Sequence, residues 1–269
     1  MQTPESTIHR QNGISRVTFY RIAIILVILG VLMTGCTSDS DQSSTLLDRL
    51  VDDNAVESIN ELVACAAGGN ADLQSNLPTR VFFYPELDAR DMRLYLTEDP
   101  DDDPEDLSLF VESDLTHLPV FNGFLRKFEL PVSIEDKWAR VAFRTEDRLW
   151  YSKPIKLQLD SNSTLYDPEL CEVNLVNPLE PSFTWEVGEA AESVIFFHVI
   201  SDENGDARSG TYTTDHLFQY YNLDNVVFNV TRAGQATPLI AGETYNFTLM
   251  GVGGTNWVNL IVEKSFVAE

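Results

Sequence analysis

Apolar and polar positions along this chain change rhythm more than once. Between residues 46 and 67, Leu46, Leu47, Leu50, Val51, Val56, Ile59, Leu62, Val63 and Ala66 recur at three- and four-residue steps, the spacing of one helix face. This predicts a helical segment within 46–77, broken near residues 52–54 and stopped by Gly68 and Gly69. Beyond Pro78 that spacing largely vanishes, and short runs rich in valine, phenylalanine, tyrosine and tryptophan alternate with turn residues. Strands are expected at 80–84, 93–97, 107–111, 125–130, 138–145 and 149–159. After a connector rich in proline and serine, a second series is expected at 183–187, 194–202, 211–215, 216–221, 226–231, 244–252 and 257–267. Six or seven strands in roughly 100 residues, twice over, is the pattern of small β-sandwiches. The expected organisation is mainly β, with a first sandwich at 78–160, a linker at 161–181 and a second sandwich at 182–269.

The N-terminal pattern is different again. Residues 22–33 form an unbroken apolar run of twelve, whereas a helix crossing roughly 30 Å of hydrocarbon needs about 20. Arg10, Arg16 and Arg21 stand in front of it against a single Glu5, the basic flank and short apolar core of an export signal. The alternative, an uncleaved anchor extended back through residues 17–20, is interrupted by Arg21. The end of the run, Met33-Thr34-Gly35-Cys36, resembles the lipobox of bacterial lipoproteins. That resemblance implies a signal peptide at 1–35, cleavage that makes Cys36 the new N-terminus, and acylation of Cys36 by palmitate-like chains. Each buried methylene adds about 0.8 kcal/mol, so two or more chains hold a protein stably to a bilayer. Residues 36–45 are polar, carry no aromatic, and read as a flexible tether. Within them Ser38 to Gln42 resembles the surface-export signals of Bacteroidota lipoproteins. The expected address is the bacterial cell envelope, on the outer membrane and outside the cytoplasm.

A more specific mark lies near the C-terminus. Leu239, Ala241, Gly242 and Tyr245, followed by Phe247, Leu249 and Val252, resemble the E–F corner and F strand of fibronectin type III domains, with Trp185 where such domains bury an aromatic. The resemblance implies that the Tyr245 hydroxyl bonds back to the loop backbone and locks the corner. The first series repeats the order, with Trp138 at the corner position and Lys153, Pro154 and Ile155 in a G-like strand. The fold expected is therefore two tandem Ig-like or fibronectin type III-like β-sandwiches after a short helical segment, the first sandwich divergent. Its architecture is similar to that of the tandem-sandwich, sugar-binding lipoproteins of Bacteroidota.

Charge narrows the partners. The chain carries 18 basic and 42 acidic residues, a net charge of −24, and loss of the first 35 residues removes three basic and one acidic. Such a surface repels nucleic acid and anionic headgroups and suits cations, neutral sugars or basic proteins. Of the three cysteines, Cys65 and Cys171 remain once Cys36 is lipidated, and in an oxidising compartment they allow one pairing. A disulfide closing that loop of roughly 100 residues is credited with about 4 to 5 kcal/mol. The alternative is two buried free thiols.

Candidate chemistry is sparse. His117, His198 and His216 stand apart with no metal-ligand spacing, and the sequence has no HExxH, no GxSxG and no phosphate-cradling glycine loop. Gly251, Gly253 and Gly254 read as an F–G hairpin. Carboxylates are too plentiful to single out a glycosidase pair. No catalytic residue is nominated, and a carboxylate-dependent glycan hydrolase stands only as the enzyme alternative. Two features could bind a ligand. Asp99, Asp101, Asp102, Asp103 and Asp106 crowd one loop and are candidate calcium ligands, the opposing reading being a solvated loop. Residues 202–210 begin like an EF-hand but place Ala207 and Thr213 where glycine and glutamate are required, and so read as a hairpin. Trp150, Tyr220, Tyr221 and Trp257 are candidate ligand aromatics, because neighbours on a strand face opposite ways and one of each aromatic pair should point outward. Packing between the domains is the competing use. The function expected is a non-catalytic binding or structural module, anchored by its lipid, whose ligand is a protein or a glycan; one version is a glycan-binding lipoprotein of a polysaccharide uptake system.

Overall fold

Strands dominate the part of the chain that the computed structural model describes, residues 47–52, 57–68, 78–131, 136–146, 148–158, 163–177, 179–190, 192–231 and 236–269. The expected signal peptide, Cys36 and the tether lie outside these residues. One α-helix, α1 (Leu47–Asp52), comes first. The first sandwich follows as β1 (Glu57–Leu62), β2 (Ala64–Ala67), β3 (Arg80–Phe83), β4 (Arg90–Leu96), β5 (Val111–Glu112), β6 (Leu118–Val120), β7 (Leu125–Glu129), β8 (Lys137–Arg144), β9 (Arg148–Ser152) and β10 (Ile155–Leu157). Its sheets run β1-β9-β8-β4-β5, with β10 on β8, and β2-β3-β7-β6. The expected strand at 149–159 is split because Pro154 has no N–H to give the ladder.

The second sandwich comprises β11 (Leu165–Tyr166), β12 (Cys171–Asn174), β13 (Ser182–Trp185), β14 (Ile195–Asp202), β15 (Ala207–Thr213), β16 (Leu217–Gln219), β17 (Val226–Asn229), β18 (Thr244–Val252) and β19 (Val258–Val267). Strands β12-β13-β16 form one sheet and β11-β19-β18-β14-β15-β17 the other. With β11 and β17 as additions at the two edges, this is the A-B-E and G-F-C-C′ arrangement of a fibronectin type III-like sandwich. The tyrosine corner is present: Tyr245 is buried on β18, and its hydroxyl accepts the Ile240 N–H at 3.0 Å and donates to Glu243 Oε2 at 3.1 Å. Gly242, at φ 82°, makes the turn that a side chain would strain. In the first sandwich Trp138 takes no such part; its backbone pairs with Thr97 and its ring lies under Lys156 Nζ at 5.7 Å.

The two sandwiches are stacked face to face, which alternation along the central strands explains. On β14, Phe196 and Ile200 enter the core of the second sandwich, while Phe197 and Val199 face a separate cluster with Leu125 and the partly buried Phe82, Tyr84 and Phe124 of the first. On β18 and β19, Leu249, Leu260 and Val262 take the first side and Met250, Val258 and Ile261 the second. On β8, Val141 and Phe143 face the core of the first sandwich, while Ala142 faces Leu47 of α1. Four sheets and one helix therefore succeed one another with apolar material at every boundary. Residues 161–181, expected as a linker, contribute β11 and β12 to the stack, and the buried Thr164 hydroxyl donates to Val258 O at 2.8 Å and accepts Gly68 N–H at 3.0 Å.

Two expectations are overturned. The helical spacing after residue 52 belongs to β1 and β2, because the chain changes sheet at Val63, and tertiary pairing overrides a local period of this kind. Leu62 and Ala66 then face the first core, while Ala67 faces the cluster between the sandwiches. Cys65 and Cys171 are free thiols. Cys65 packs on the cluster between the sandwiches and Cys171 lies in the core of the second, so the β14-β18-β19 sheet stands between them. Packed sheets are about 10 Å apart, beyond the ~6 Å Cα separation of a disulfide. Desolvation pushes the Cys65 thiol up to about 12 and the Cys171 thiol up to about 11, so both stay protonated at neutral pH.

Candidate functional site

The acidic loop folds upon its own carboxylates. Asp99 Oδ1 accepts the Asp101 N–H at 2.9 Å, Asp102 Oδ2 the Asp99 N–H at 3.0 Å, and Asp103 Oδ1 the Glu105 N–H at 3.0 Å. Asp106 caps a single 3-10 turn (Leu107–Leu109), where a strand is expected from sequence, and the Ser108 hydroxyl and N–H hold its carboxyl below the usual range. Buried Arg140 ties the loop down, donating to Pro104 O at 2.7 Å, Ser152 O at 2.8 Å and Glu105 Oε2 at 3.1 Å. Among the described residues no group of three or more His, Cys, Asp or Glu side chains is placed to hold a metal ion. Asp99, Asp102, Asp103 and Asp106 use their carboxylates to cap turns, the arrangement of a solvated loop, while Asp101 contributes its backbone N–H.

Most of the candidate aromatics are core. Trp257 is fully buried in the first sandwich's core, delivered there by the β18–β19 hairpin, where Gly253 N–H donates to Trp257 O and Asn256 takes φ 59°. The hairpin is held by Ala66 N–H to Asn256 O at 3.0 Å and Asn256 Nδ2 to Pro154 O at 2.9 Å. Trp150 stacks on Phe143 at 6.2 Å and its Nε1 donates to Thr145 Oγ1 at 3.3 Å. Tyr220 is buried and donates its hydroxyl to Thr237 O. Trp150 and Tyr220 belong to the cores of their own sandwiches, and only Trp257 crosses from one sandwich to the core of the other. Tyr221 alone of the four is exposed, at 38%.

Tyr221 stands at the rim of a small pocket of about 140 Å³ on the second sandwich. The three-stranded sheet ends at β16, and the pocket lies between that edge and β15–β17. Ser209 and Thr211 alternate on β15 and face it together, as period two requires; Asn229 and Thr231 do the same from β17 and the residues after it. Phe218 of β16 and Leu223 supply apolar wall. Most of the polar groups are already held. Thr231 Oγ1 accepts the Gly210 N–H at 3.0 Å and donates to Gly210 O at 3.2 Å, and Asn229 Oδ1 accepts the Thr231 N–H at 2.9 Å. Thr211 Oγ1 shares a 2.9 Å hydrogen bond with Nδ1 of His198, which packs behind the wall against Phe218. Burial pushes the His198 imidazole down to about 3, so it is neutral and acts as a rigid brace. Ser209 differs: it is 2% exposed and its Oγ has no partner among the described residues. A buried hydroxyl left unpaired costs about 1–3 kcal/mol. Tyr221 holds φ 68°, a left-handed backbone that costs a bulky side chain about 1–2 kcal/mol. Next to the pocket, and sharing Tyr221 and Leu223 with it, an open groove of about 510 Å³ is flanked by Glu180, Asn222 and Asp224.

Of the sequence candidates, the structure brings only Tyr221 into this pocket. Ser209, Thr211, Asn229 and Thr231 were not nominated, although the i, i+2 repeat of small polar residues on two strands is a signal that sequence does carry. The pairing of those strands is not.

The architecture defines the class as a double β-sandwich of the Ig and fibronectin type III type. No protein-family profile matches the chain, and no curated protein matches it. One solved structure, described as the structural basis of neurohormone perception by the receptor tyrosine kinase Torso, is similar at 9% identity and a TM-score of 0.24, over 97% of this chain and 93% of that one. A likeness so low carries no argument about function.

Proposed function

We propose that the chain is a lipid-anchored, extracytoplasmic module of the bacterial envelope that binds or presents without catalysis. The lipobox-like Met33 to Cys36 supports the anchor, and the polar residues after it support a tether. The observation that carries the reading is the continuous stack of four sheets. Apolar layers at every boundary make the described residues from Leu47 onward one compact body. Such a body suits presentation of a surface. No helix among the described residues is long and apolar enough to cross a membrane. In this reading the acyl groups on Cys36 are the attachment.

Intact mass of the protein extracted from its native membrane tests this. The expected species begins at Cys36 and carries acyl groups, and Cys36→Ala moves the chain to the soluble fraction. An unprocessed, unacylated chain inside the cell would overturn the proposal. Native co-purification at fixed stoichiometry would favour a structural role within an envelope assembly.

A further inference from the structure

We infer that the pocket between β15, β16 and β17 binds the terminal residue of a neutral glycan, an inference that rests on the binding-module reading and gives it a site. The lining carries no carboxylate and no cation, although the chain has 42 acidic and 18 basic residues, so an ionic ligand has no counter-charge there. What the lining does carry is hydroxyls of Ser209, Thr211 and Thr231 beside the aromatic rings of Phe218 and Tyr221. That mixture matches a sugar ring, whose C–H faces pack on aromatic rings while its hydroxyls need donors and acceptors at fixed positions.

The hydrogen-bond inventory points the same way. Thr211 and Thr231 are committed to His198 and to the Gly210 backbone, which holds their oxygens still. Of the hydroxyls lining the pocket, Ser209 Oγ is the buried one with no partner among the described residues, and a ligand hydroxyl would complete it. Size limits the occupant, since about 140 Å³ is the space of four or five waters at ~30 Å³ each. That accommodates much of one sugar ring and nothing larger. The remainder of the glycan would run past Tyr221 and Leu223 into the adjoining groove, where Glu180, Asn222 and Asp224 can accept hydroxyl protons and would repel acidic sugars. The strained φ of 68° sets the Tyr221 ring at the junction of pocket and groove, where it can meet both parts of one ligand.

The experiment applies the purified full-length chain, in detergent, to an array of neutral and of sialylated or uronate-containing oligosaccharides, then titrates the strongest neutral one calorimetrically. Neutral glycans are expected to be retained and acidic ones not. Tyr221→Gly should weaken binding about tenfold or more while the melting midpoint stays within a few degrees, because glycine accepts the positive φ. Ser209→Val should fill the space, remove the free hydroxyl and weaken binding by a similar factor. Retention of no neutral glycan, preference for acidic ones, or parental affinity in both variants would overturn the inference. An acylated Cys36 with an empty array would remove the site and leave the tethered module standing; an unacylated chain that still binds neutral glycans would do the reverse.

Discussion

The first sandwich closes the side that the second leaves open. In the first, β6 adds a fourth strand beside β7, the outer face of the β8 sheet is covered by α1, and the acidic loop, tied down by Arg140, borders an open hollow lined by Glu98, Asp99 and Asp102. In the second, the matching sheet stops at its third strand, β16, and beside that edge lies the Tyr221 pocket. The corner devices differ too, a hydrogen-bonded Tyr245 against a Trp138 that only packs. The two sandwiches are joined by a shared apolar layer, and the proposed glycan pocket lies on the second. Gly210 sits in that joint, where an added Cβ would come within 2.6 Å of the Phe124 ring.

The strongest way to break this comparison is Trp257→Ala. Although Trp257 follows a hairpin of the second sandwich, its ring fills the core of the first, and its loss should cost about 3–5 kcal/mol. Denaturant unfolding of the full chain should remain a single transition at a lower midpoint; two separated transitions, with the first sandwich unaffected, would contradict a common stack.

Acid sharpens the contrast between the sandwiches. His198 titrates near 6.5 when unfolded and near 3 when folded, so the unfolded chain binds the extra proton between those values and stability falls as pH drops through that window. The loss is about 1.4 kcal/mol per pH unit, roughly 2 kcal/mol between pH 6.5 and 5. His117 in the first sandwich is shifted the same way, by desolvation and then by Arg126, and is less enclosed. His198→Gln should flatten melting midpoints over this range, and His117→Gln should change them less.

The corner residues give a smaller effect. Tyr245→Phe leaves the Ile240 N–H without its acceptor and should cost about 1–2 kcal/mol by chemical denaturation, against under about 1 for Trp138→Phe. Equal costs would make the two corners equivalent. The smallest effect is expected at the acidic loop, whose carboxylates already cap their own turns: adding calcium or a chelator should leave the melting midpoint unchanged.

The class of fold was legible in the residues themselves. Most strand-length runs beyond Pro78, the Tyr245 corner and the hairpins at 202–210 and 251–257 appear where turn chemistry and alternation place them, because these are short-range effects of φ, ψ and side-chain direction. Tertiary structure alone decided the rest. The helical spacing of residues 57–67 yielded to two sheets competing for one segment, and Cys65 and Cys171 were parted by a sheet that no count of cysteines reveals. Trp150 and Tyr220 turned into the cores of their own sandwiches and Trp257 crossed into the core of the other, while Ser209, Thr211, Asn229 and Thr231 became one pocket only when β15 paired with β17. Local patterning states which face of a strand is apolar; what that face meets depends on contacts between residues far apart in the chain, and those are set by packing.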